Sequence, residues 1–133
     1  MAGPRQDATK DTHVTSIEPL ATRALEHWHA VGGLERSRQL VDRLSEGHQF
    51  SAQFWARCAE LELAASPRNP ARIRRLLERR VSAQPTAADG WLAWIQYELA
   101  ENQVDHVTTL HQRAVGAVAD PPAFMAAYNA LKA

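Results

Sequence analysis

Apolar residues return every three to four positions along most of the chain and nowhere alternate singly, so the pattern predicts helices and no strands. The first stripe is Ile17, Leu20, Ala21, Ala24, Trp28 and Val31, with Pro19 in the first turn and Gly32-Gly33 as its stop. A second stripe, Leu34, Ser37, Leu40, Val41 and Leu44, runs to Gly47, and the short turn between the two predicts an antiparallel hairpin. Ser51 is placed to cap a third helix over 52–65, with Phe50 stapled onto Trp55. Pro67 and Pro70 separate it from a fourth helix over 70–84, in which Asn69 caps and Ile73, Leu76, Leu77 and Val81 face inward. Thr86 and Asp89 resemble a capping box for a fifth helix. Its Trp91, Leu92, Trp94, Ile95, Tyr97 and Leu99 are spread round the axis, as in an interior element. Val104, Val107, His111, Ala114, Val115 and Val118 form a sixth stripe. Asp120 and Pro121 open a seventh, carrying Phe124, Ala127, Tyr128 and Leu131. Residues 1–16 have no apolar period and are expected to be a disordered tail.

Superimposed on the helical period is a longer one. Trp55, Cys58, Leu61, Glu62 and Leu63 come back 36 residues later as Trp91, Trp94, Tyr97, Glu98 and Leu99. The partner helices align as well: Ile73 through Val81 matches Val107 through Val115, and more faintly Ser37 through Leu44. A period in the mid-thirties is that of stacked helical hairpins, none of which can bury its apolar face alone. The expected fold is therefore all-α, a short α-solenoid of antiparallel hairpins with about seven helices, occupying residues 17–133.

Composition narrows the functions. Fifteen basic residues balance fifteen acidic ones, so no global field draws the chain to nucleic acid or a membrane. A lone cysteine, Cys58, on an apolar helix face reads as a small core residue and fits a reducing compartment. The apolar runs are too short to span a bilayer, and residues 1–16 lack the centre of a signal peptide, which points to the cytosol or nucleus. His27 and His29 diverge on a helix, and His106 and His111 lie five apart, so no pair has chelating spacing. No nucleophile elbow, phosphate-cradling glycine loop or paired-cysteine motif occurs. These patterns predict a non-enzyme without metal, cofactor, membrane anchor or small-molecule substrate.

The repeated Trp, the aromatic three positions on, the Glu at the seventh, and a second helix of the form Leu-x-Glu-Arg followed by Pro85 resemble the half-a-tetratricopeptide (HAT) repeats of RNA-processing proteins. Cys58, His111 and Arg80 depart from that family's usual Tyr, aromatic and Ala. Within it, Trp91 through Leu99, His111 through Ala114 and Ala123 through Ala126 are most similar to the C-terminal repeats of the U3 small nucleolar RNA-associated protein 6 family. The resemblance implies a scaffold for protein subunits of a ribonucleoprotein complex, with RNA reached indirectly, in the nucleus and nucleolus during maturation of small-subunit ribosomal RNA. A splicing or 3′-end-processing scaffold is the alternative of the same class. It also implies structural roles for Trp55, Glu62, Arg79, Trp91, Trp94, Glu98 and Arg113, with Arg79 and Arg113 as partners for Glu62 and Glu98.

Two surfaces remain as contact candidates. Arg72, Arg75 and Arg79 share a face of the Arg-rich helix 70–84 and are placed to touch phosphates in a direct RNA-binding module. A solvated helix face is the preferred reading of them, since no aromatic is interleaved to stack bases. Phe124, Tyr128 and Leu131 on the last helix are the candidates for docking a partner protein.

Overall fold

The structure, a computed structural model, describes residues 17–133; the tail expected at 1–16 lies outside them. Among the described residues all regular structure is helical, in six helices where the stripes count seven. They fall into two compact units, Met1–Arg68 and Asn69–Ala133.

The first unit holds α1 (Ala2–Gly47) and α2 (Ala52–Leu63). The two helices expected on either side of Gly32-Gly33 form one element, interrupted only at Gly33, whose φ of 76° and ψ of −172° are not helical. Trp28, Arg36, Gln39, Leu40 and Arg43 nonetheless line a single pocket. In a straight helix Trp28 and Arg43 would lie about 22 Å apart, so the chain folds back at Gly33 into two arms. The backbone amide of Ser51, donating to the Glu18 carboxylate at 2.6 Å, ties the far end of the second arm to the start of the first.

The first arm is rotated from its expected phase. Ala21 and Leu25 are buried, while Leu20 (59% exposed), Trp28 (38%) and Val31 (65%) face outward. Polar anchors fix this rotation, because Glu18 holds Ser51 through both its amide and its hydroxyl, and Glu26 grips Arg57 of α2 through two hydrogen bonds. Ser51 is the residue before α2, but its hydroxyl is spent on Glu18 rather than on a cap. Phe50 does pack as a staple, 5.9 Å from Trp55 and stacked on Phe54 at 4.2 Å between centroids. Phe54, Trp55, Cys58, Ala59 and Leu61 complete the buried face of α2.

The second unit is α3 (Pro70–Ala83), α4 (Ala88–Ala100), α5 (Val104–Val115) and α6 (Pro121–Lys132). The Asn69 side chain accepts the Arg72 amide at 3.2 Å and that of Asp120 the Ala123 amide at 3.1 Å, so both capped starts form as read. The capping box at Thr86 does not form. Ala87 is the N-cap, Asp89 turns to the Gly90 amide and to Arg80, and the Thr86 carbonyl accepts the Ala119 amide at 3.0 Å, joining two turns.

α4 touches α3, α5 and α6 and is the centre of the unit. Trp91, Trp94, Ile95 and Tyr97 are buried on it, each worth about 1.5–3 kcal/mol of apolar transfer. The Trp91 indole N–H is satisfied by the Pro85 carbonyl at 2.8 Å. At Gly90 an added Cβ would stand 3.3 Å from Val81 Cγ1, the mark of close approach between α3 and α4. On α5, Val107, Leu110 and Ala114 are buried, but Val104 at the first turn faces solvent. α6 closes the unit with Phe124, and His111 sits in an aromatic slot 4.4 Å from Tyr128 and 5.8 Å from Phe124.

Candidate functional site

The 36-residue repeat has a physical counterpart in a pair of buried carboxylates. Glu62 on α2 accepts Arg38 of the second α1 arm, Nε at 2.8 Å and Nη2 at 2.7 Å. Glu98 on α4 accepts Arg74 of α3 through the same two nitrogens, at 2.8 and 2.9 Å. The residues of each pair are 24 apart in sequence, and both glutamates are at most 2% exposed. A two-nitrogen fork fixes angle as well as distance, so each pair sets how the two helices that it joins meet. Both arginines are held further from deprotonation by these bonds.

Glu98 has two more donors, the Trp94 indole N–H at 3.1 Å and His106 Nδ1 at 3.1 Å. Burial pushes its pKa up, but the bonds from Arg74, His106 and Trp94 outweigh burial and hold it below the ordinary 4.5. Around it lies a pocket of about 210 Å³ lined by Arg74, Trp94, His106, Thr109, Leu110 and Arg113. Its charges are already matched, since Arg74 faces Glu98 and Arg113 holds Glu78 at 2.9 and 3.1 Å. Arg113 also lies 5.1 Å over Trp91 and 5.5 Å over Trp94, shielding the indoles from water. The arrangement orients helices.

The structure reassigns several candidates. Arg113 pairs with Glu78, not with Glu98 as expected, because α3 presents Glu78 to it while Arg74 occupies Glu98. Of the phosphate-contact candidates, Arg72 is buried at 8% exposure, leaving Arg75 and Arg79 on the surface of α3. Elsewhere in the Arg-rich run, Arg74 is committed to Glu98, Arg80 to Asp89 and Arg68 to the Leu63 carbonyl. Of the docking candidates, Phe124 is fully buried beneath α6, so only Tyr128 and Leu131 are partly accessible. Trp55, Trp91, Trp94, Glu62 and Glu98 are all buried.

Sequence reasoning missed Arg38 and Arg74 as the carboxylates' partners. The signal was there: the two arginines occupy equivalent places in the aligned second helices, as the glutamates do in the first. Comparison of the chain with protein-family models, with curated proteins and with solved structures finds no match in any of the three.

Proposed function

We propose that the chain is a non-catalytic scaffold of stacked HAT-type hairpins, an α-solenoid that docks protein subunits of a ribonucleoprotein assembly. The observation that supports it is the recurrence, 36 residues apart, of one buried Trp and one buried Glu held by a forked Arg. A unit copied with its polar joint intact is what a repeat array needs to propagate one geometry. The resemblance to HAT repeats extends the reading to nucleolar maturation of small-subunit ribosomal RNA, in which the chain acts by docking.

Capture from nuclear extract tests it. Apolar docking changes little between low and high salt, whereas single-strand binding loses about 0.7 log units of affinity per contacted phosphate for each tenfold rise in salt. Small-subunit pre-ribosomal proteins should be retained after ribonuclease and at high salt. If everything captured disappears with ribonuclease, or if only splicing or 3′-end-processing proteins are retained, the nucleolar scaffold reading is wrong.

A further inference from the structure

Arg36 and Arg43, near the back-fold of α1, differ from the arginines that join helices. Arg38, Arg57, Arg74, Arg80 and Arg113 each hold a carboxylate. Among the described residues no carboxylate is within ion-pair distance of Arg36 or Arg43. Glu35, next to Arg36 in sequence, stands 3.9 Å from Arg38 instead. Arg36 and Arg43 instead line a pocket of about 210 Å³ with Trp28, Gln39 and Leu40, a lining that contains no acid. Its wall is the one tryptophan with a large exposed surface, at 38%, and the Arg36 guanidinium lies 5.2 Å above that indole.

We propose that this pocket binds one nucleotide of a single-stranded nucleic acid. The base stacks on Trp28 against Leu40, Gln39 offers an amide to the base edge, and Arg36 and Arg43 take the flanking phosphates. Three considerations select that ligand. The volume is below the range of about 300–1,000 Å³ usual for a drug-sized molecule, so it suits one flat group. A cation over an exposed indole is held more weakly than a stacked base, so a base displaces Arg36 from the ring and frees it for phosphate. An acidic peptide or a free phosphate would use the arginines but has no need of the indole. This is the combination of cation and aromatic that the helix over 70–84 lacks, found on the other unit.

The proposal goes beyond the scaffold reading and is tested without it, on the purified full chain with labelled oligouridine and oligoadenosine of about ten nucleotides. Binding should quench part of the tryptophan emission. Trp28→Ala should weaken it by about tenfold or more, and Trp28→Phe, which keeps a ring and guards against misfolding, should weaken it far less. Arg36→Gln with Arg43→Gln should also weaken binding and lower the salt slope by about 1.4. Arg75→Gln, an exposed arginine on α3, should change neither. Absence of binding, equal affinity of Trp28→Ala and the parent, equal damage from Arg75→Gln, or displacement by polyglutamate as effective as by unlabelled oligonucleotide would each overturn the proposal. None of these outcomes bears on ribonuclease-resistant capture of proteins, so the two readings fail separately.

Discussion

A carboxylate with 1% of its surface exposed keeps its charge only if every lone pair is used, and Glu98 uses them on Arg74, Trp94 and His106. Removing one member of such a pair strands the other. Glu98→Gln should therefore cost about 3 kcal/mol in urea melts, the low end for a broken buried pair because Arg74 retains a partly exposed side chain. Glu78→Gln breaks a pair that is roughly two-fifths exposed on both sides and should cost about 1 kcal/mol or less. The acid limb follows from the same carboxylate. Its folded pKa is depressed, so its contribution is complete above the unfolded value near 4.5 and is lost as pH falls through the lower folded one. Stability measured from about pH 6 down to about pH 3 should decline in the parent and decline less in Glu98→Gln. An equally steep limb in the variant would remove Glu98 from the explanation.

At the scale of the element, Gly33 decides whether α1 is a rod or a hairpin. Its φ of 76° with ψ near 180° belongs to backbone space that is essentially reserved for glycine, and an added Cβ would meet nothing within 4 Å. The cost of Gly33→Ala is then conformational, about 1–3 kcal/mol by thermal or urea melting, whereas Gly47→Ala, with no positive φ and equally open space, should stay within about 0.5 kcal/mol. Trp91→Ala removes one of the two buried indoles of α4 and should cost about 3–5 kcal/mol. The starts of α3 and α6 and the stop of α3 were legible because Asn69, Pro70, Asp120, Pro121 and Pro85 each act through local chemistry. The rotation of the first α1 arm was not. Leu20, Trp28 and Val31 compete with Leu25 for the same helical period, and the choice is made by Glu18 and Glu26 reaching residues some 30 positions away. The arginine pairs were half legible, since alignment marks equivalent residues without saying which carboxylate each one meets.

For the whole molecule, fifteen positive and fifteen negative groups cancel, with a pI near 7.0. Self-repulsion is weakest at neutrality, so light scattering should show most self-association there and less after a shift of about two pH units either way. A different probe reaches inside the second unit. The Ala119 amide sits in the turn before α6, where exchange with solvent deuterium would ordinarily be fast, yet its proton is held by the Thr86 carbonyl at the opposite turn. It can exchange only when the start of α4 and the α5–α6 turn separate, so its rate counts those openings rather than the fraying of one turn. A loop amide as slow as those of the α4 interior would mean that the four helices of this unit open and close as a single cooperative body.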